Sequence, residues 1–149
     1  ALDYLMEEVV ERESPIVQTF LLRTAVLNRL TGSLCDALTG REDGWQTLEY
    51  LEDANLFTAP LDSEQRWYRY HPLFAILLRQ RLRQSTGPST GNEGMRVIEF
   101  HKRAAIWYEA NGLDIEAFQH SVAAGDINHA ARLAKRGNIP PHLRGAIVD

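Results

Sequence analysis

Few residues in this chain could do chemistry, and His71 is the most pointed of them. It stands beside Pro72, where an aromatic-rich run gives way to a helical pattern. A proline at the first helical position leaves the following N–H groups pointing outward. A helix N-terminus with a histidine beside it makes an anion site. The plainer reading is that His71 caps its helix and packs under the preceding strands, and both readings stay open. Arg66, Arg69, Arg79, Arg81 and Arg83 come next, with no acid between residues 66 and 83, a local charge of +5. Such a segment can grip phosphate as DNA-binding modules do, or contact neighbouring domains. It can also be a solvated face paired with the acidic stretches at residues 3–13 and 42–53. The negative charge of the whole chain favours the paired face.

The remaining reactive types read as structural. His101, His120 and His129 lack the close spacing of zinc-binding pairs, and Cys35 is the only thiol, so they read as helix-packing histidines and no metal site is expected. Cys35 lies between Leu34 and Leu38 and reads as a small core residue. The carboxylates are scattered along helix faces, with no acid–base pair marked, so no catalytic residue is assigned. Trp45, Trp67 and Trp107 read as core anchors.

These residues sit on a mostly helical frame. Leu2, Leu5, Met6, Val9 and Val10 recur at helical spacing. Ser14 caps a second helix with Pro15 in its first turn, and Ile16, Val17, Phe20 and Leu21 form its apolar stripe. Thr31 caps a short helix ended by Gly40. Another runs from Asp43 to Ala54 and is expected to bury Trp45, Leu48 and Leu51. Residues 56–61 and 66–70 then read as two strands around the polar turn Asp62-Ser63-Glu64-Gln65, a β-hairpin. The next helix should pack Leu73, Phe74, Leu77 and Leu78 on one face, with Arg79 and Arg83 on another. Helices, one hairpin and a further helix make a winged helix.

Residues 85–94, rich in Gly and Ser, read as a linker or mobile loop. Beyond them lie helices separated by Asn111-Gly112, Gly125 and Gly137, with Asp114 and Asp126 as caps and alanines on the packing faces. Small residues let antiparallel helices approach closely, as helical-repeat arrays require. The expected architecture is mainly α: a winged-helix domain with its preceding helices (1–84), a linker (85–94) and tetratricopeptide-like helical hairpins (95–149).

The composition narrows function further. The chain has 149 residues, 44% hydrophobic and 24% charged, with 16 Lys+Arg against 20 Asp+Glu and a net charge of −4. That sign is opposite to a generic nucleic-acid binder. One cysteine excludes an internal disulfide, so a reducing cytoplasm is the expected location. No apolar run approaches the roughly twenty residues of a membrane span, and no basic-then-apolar leader is present. The opening residues are already in helical phase, so the chain reads as an excised piece of something larger.

Several stretches carry a family likeness. They are Phe20-Leu21-Leu22-Arg23-Thr24-Ala25-Val26-Leu27, Cys35-Asp36-Ala37-Leu38-Thr39-Gly40, Leu48 to Phe57, and Trp67-Tyr68-Arg69-Tyr70-His71-Pro72-Leu73-Phe74. His101-Lys102-Arg103-Ala104-Ala105-Ile106-Trp107-Tyr108, Ala123-Ala124-Gly125-Asp126 and Ala130-Ala131-Arg132-Leu133 continue it in order. Together they resemble MalT-like, large ATP-dependent LuxR-type transcriptional regulators along nearly the whole chain. The resemblance implies a signal-transduction ATPase with a nucleotide-binding domain, a helical domain, a winged helix, a helical arm, a tetratricopeptide-like sensor and a C-terminal helix-turn-helix. This chain would supply the end of the helical domain, the winged helix and the start of the arm or sensor.

The resemblance places His71 where a winged-helix histidine of this ATPase class touches the β-phosphate of ADP and holds the inactive state closed. One departure is Pro72, where the family more commonly has a second histidine. The sequence contains no G-x-x-x-x-G-K-[ST] phosphate loop, so a non-enzyme without a cofactor of its own is expected, with ATP or ADP held elsewhere in the parent. The implied partners are the neighbouring nucleotide-binding and sensor domains, DNA through a separate domain, and further copies of the parent. The alternative is a free-standing winged-helix DNA binder using Arg66 to Arg83.

Overall fold

The computed structural model describes residues 4, 8–64, 66–85 and 93–145, and the chain divides into two units at residues 94 and 95. In the first unit, helix α1 (Pro15–Thr24) starts at Ser14, whose extended backbone and Oγ, accepting from Val17 N–H at 3.3 Å, meet one orphan donor of the first turn. Its inner face buries Phe20 and Leu21. Leu30 then pairs with Tyr68 through two backbone hydrogen bonds of 2.8 and 2.7 Å, a one-residue strand. Helices α2 (Gly32–Thr39) and α3 (Gly44–Asp53) follow as a tightly packed pair.

Two glycines permit that closeness. A Cβ on Gly44 would run into the backbone carbonyl of Gly32, and one on Gly32 would lie 2.6 Å from the Trp45 indole. Asp36 crosses the gap, its carboxylate accepting from Gly44 N–H at 2.8 Å at the start of α3. After α3, Asn55 and Phe57 adopt positive φ, both 55°, and turn the chain into β1 (Thr58–Pro60). β1 pairs antiparallel with β2 (Tyr68–Tyr70), with Thr58 opposite Tyr70 and Pro60 opposite Tyr68. The pleat buries Tyr68 and Tyr70 and leaves Arg69 facing outward. Helix α4 (Pro72–Ser85) closes the unit. Leu21, Leu30, Leu34, Leu38, Leu48, Leu51 and Leu78 are at 0% exposure, each burial contributing about 1.5–3 kcal/mol. This is a winged helix with the hairpin as its wing.

The second unit is a run of short helices: α5 (Glu93–Ala110), α6 (Asp114–Ala123), α7 (Ile127–Lys135) and α8 (Pro141–Arg144). After α5 and α6, Leu113 N–H reaches Tyr108 O and Asp126 N–H reaches Ser121 O, each at 2.9 Å. These are the closing bonds of Schellman ends, which need the left-handed Gly112 and Gly125. Ala104, Ala105, Ala117 and Ala130 are fully buried around Tyr108, Phe118 and Leu133. That small-residue packing is what the sequence led us to expect of stacked helical hairpins.

Several expectations need correction. Trp45 is 39% exposed, because its indole lies over Gly32 and edge-on to Tyr68 instead of entering the core. Leu73 is 38% exposed, while Phe74, Leu77 and Leu78 are buried. The strands span only 58–60 and 68–70, since the positive φ at Phe57 breaks the extended run. Thr31 occupies the α2 cap position without a side-chain bond, and Leu113 holds the cap position expected for Asp114. Ser85 belongs to α4, Glu93 and Gly94 belong to α5, and residues 86–92 of the expected linker lie outside the described residues. Of the expected first helix, Tyr4 and residues 8–10 are described and helical.

Candidate functional site

His71 sits in the single-residue joint between β2 and α4. Its backbone N–H donates to Phe57 O at 2.7 Å, so the residue leading into β1 fixes the joint. Phe57 holds a left-handed backbone that costs a bulky residue of order 1 kcal/mol or more, and its ring packs on Phe74 at 5.3 Å. The His71 side chain is exposed, not packed under the hairpin. Its Nδ1 accepts from Leu73 N–H at 3.2 Å, capping the first turn of α4. A neutral imidazole whose Nδ1 accepts carries its proton on Nε2. The joint therefore presents an Nε2–H donor at the positive end of a fourteen-residue helix.

The five arginines expected to act together are placed differently from one another. Arg66 faces solvent beside Glu64 at 3.3 Å. Arg81 reaches Glu11 at 3.2 Å, one of the acidic-helix pairings the sequence allowed. Arg83 lies in the last turn of α4. Arg79 turns inward: Nε donates to Ala25 O at 2.6 Å, and Nη2 donates to Leu27 O at 3.3 Å and Asn28 Oδ1 at 3.4 Å. It thus satisfies carbonyls just past the end of α1. Burial, with Arg83 nearby as the lesser cause, pulls its pKa down. Arg69 is exposed and has no ion pair or hydrogen bond among the described residues. Arg69 and Arg79 line one groove of about 280 Å³ with Leu27, Asn28, Tyr70, Pro72, Ala75 and Ile76.

Behind the joint, Tyr70 Oη and Thr24 Oγ1 share a buried hydrogen bond of 2.7 Å, while Thr24 Oγ1 also donates to Phe20 O at 2.8 Å. Burial pushes the Tyr70 hydroxyl pKa well up. Cys35 is fully buried and its thiol pKa is likewise raised, chiefly by desolvation. α3 is the helix that helix-turn-helix proteins lay in the DNA major groove. It carries Glu49, Glu52 and Asp53 and no Lys or Arg.

In the second unit, His101 Nδ1 and His120 Nδ1 lie 2.9 Å apart, and Tyr108 stacks on His120 with ring centroids at 5.5 Å. His129 Nε2 meets Glu109 at 2.7 Å, and Arg136 and Arg132 reach the same carboxylate at 2.6 and 3.6 Å. Among the described residues no three His, Cys, Asp or Glu side chains converge as a metal site. No described helix is long and apolar enough to cross a membrane. Sequence reading missed Asn28, Leu30 and Phe57. A one-residue bridge has no periodicity, and nothing in a phenylalanine announces a positive φ.

The fold and the joint define a winged-helix module with an outward histidine at the start of its last helix. A model of the MalT winged helix domain matches residues 6–90. The HTH-type transcriptional regulators MalT of Yersinia pestis (strain Pestoides F) and Yersinia enterocolitica serotype O:8 are each 38% identical to it over 125 residues. That is 84% of this chain but 13% of each of those proteins. The chain belongs to the MalT winged-helix family.

Proposed function

We propose that this chain is a non-catalytic regulatory part of a MalT-like transcriptional activator working in the cytoplasm. Its winged helix closes on a neighbouring nucleotide-binding domain when ADP is bound, and its helical unit relays inducer binding, sensed elsewhere in the parent, to that closure. DNA is read by a separate domain, and self-association belongs to the parent. Physically this is a two-state element biased by ligands at two sites. The observation that carries the reading is the His71 joint, a ring fixed by its own helix so that a single N–H points outward at a helix N-terminus. The family membership supports it.

The test is His71→Ala in the full-length regulator. Inducer-independent activation should rise, and ADP should be retained less tightly. Unchanged basal activity together with unchanged ADP retention would refute the role. The rival reading, a free-standing DNA binder, has the wrong charge on α3. It also loses Arg79 to backbone carbonyls and Arg81 to Glu11.

A further inference from the structure

The groove beside the joint holds two cations and no acid. Among the described residues its lining includes Arg69 and Arg79 and not one Asp or Glu. Arg79 is half-buried and donates to two carbonyls and an amide oxygen, with both N–H groups of Nη1 left without an acceptor among the described residues. Arg69, outward on β2, has no partner among the described residues. A half-buried guanidinium without a counter-charge is costly, and low-dielectric walls focus the field of both cations into the groove. A cleft of about 270 Å³ between the start of α1 and the end of α2 provides a contrast. Its one cation, Arg41, is already neutralised by Asp43 at 2.9 Å.

The walls specify more than charge. Leu27, Ala75 and Ile76 line the same groove, and Ile76 is 48% exposed. A bare phosphate would leave that apolar surface wet, whereas a peptide can cover it. We propose that this groove docks an acidic–apolar protein segment, one carboxylate held between Arg69 and Arg79 and an adjoining aliphatic side chain laid on Ile76. Arginine's planar fork suits a carboxylate in this role. His71 does not line the groove, so docking there is separate from any nucleotide contact. The inference leans on the interdomain reading only for where such a segment would come from.

The test titrates the chain with the blocked peptide acetyl-Ala-Leu-Glu-Ala-amide, followed by backbone amide NMR. Saturable shifts should appear at Asn28, Arg69 and Ile76, with Kd in the millimolar range, and the Gln counterpart of the peptide should not produce them. Arg69→Gln, an exposed change opposite Ala59, should weaken binding roughly tenfold, the loss of one charge-assisted contact. Equal shifts with the Gln peptide, no saturation, or an unaffected Arg69→Gln chain would each overturn the proposal. So would inorganic phosphate binding as tightly as the Glu peptide, which would make this a small-anion site. Failure here leaves the His71 reading intact, because that reading is tested by basal activation and ADP retention.

Discussion

Replacing Arg79 by methionine asks whether this arginine is a surface grip or an internal bolt. The structure gives it a short charged bond to Ala25 O at 2.6 Å and a longer one to Leu27 O at 3.3 Å. Hydrogen bonds to charged groups contribute about 1.5–3 kcal/mol each. The 3.3 Å bond counts for little, and removing a half-buried cation returns part of its desolvation cost. Methionine keeps the aliphatic stem, so packing changes little. The net loss should be about 2 kcal/mol, and Arg79→Lys, which can reach one carbonyl, should lose about half of that. Urea unfolding in a Trp107→Phe background leaves Trp45 and Trp67 as reporters of the first unit. With a slope of about 1.5 kcal/mol per molar, the midpoint should fall by roughly 1.3 M for methionine and half that for lysine. A fall below about 0.3 M with unchanged slope would mean that water serves those carbonyls equally well. The bolt assignment would then be wrong.

Three further outcomes follow from other contacts. Gly44→Ala drives a Cβ into the rigid Gly32 carbonyl, so it should destabilise the first unit by about 1–3 kcal/mol, read from the same tryptophan transition. In the second unit, burial alone would raise the Glu109 pKa, but the His129 hydrogen bond and the charges of His129, Arg136 and Arg132 hold it below its ordinary 4.5. A depressed folded pKa stabilises above that ordinary value, and the contribution disappears as pH falls through the folded one. The stability gap between wild type and Glu109→Gln, followed by Trp107 fluorescence, should therefore be full at pH 7 and shrink below about pH 4.5; a constant gap down to pH 3 would contradict it. Fluorescence anisotropy with labelled duplex DNA should show no binding even at about 50 mM salt, whereas binding that weakens with salt would revive the free-standing DNA binder.

What could be read from the sequence is what local chemistry decides. Ser14 ahead of Pro15, and the glycines after α2, α5, α6 and α7, placed helix ends because capping and left-handed backbone are local matters. The wing was legible in the alternation of Tyr68, Arg69 and Tyr70. The failures are tertiary. Trp45 stays outside because Gly32 offers its ring a flat surface where α2 and α3 meet. Arg79 looked like part of a charged face, but three helical turns carry no hint that the end of α1 lies within reach. At the site, His71 and its helix were readable, while the Phe57 carbonyl that fixes the joint was not, since its backbone conformation is set by the hairpin it enters.

The distribution of charge on this winged helix explains how a DNA-binding shape can serve another purpose. In a helix-turn-helix protein the second helix of the pair meets phosphates and base edges, so it must be cationic or neutral. Here α3 bears three acids, two of them exposed, and an exposed Trp45 and Tyr50. Such a face repels a nucleic acid and suits a protein surface. The positive charge sits on β2 and α4, where Arg81 pairs with Glu11 and Arg79 commits its Nε and Nη2 to oxygens of the fold. The Arg69–Arg79 groove and the His71 donor are two separate points rather than a continuous patch. Two points can recognise one carboxylate and one phosphate, but they cannot neutralise the several phosphates that hold a protein on a duplex. The charge pattern therefore favours contact with protein over contact with a duplex.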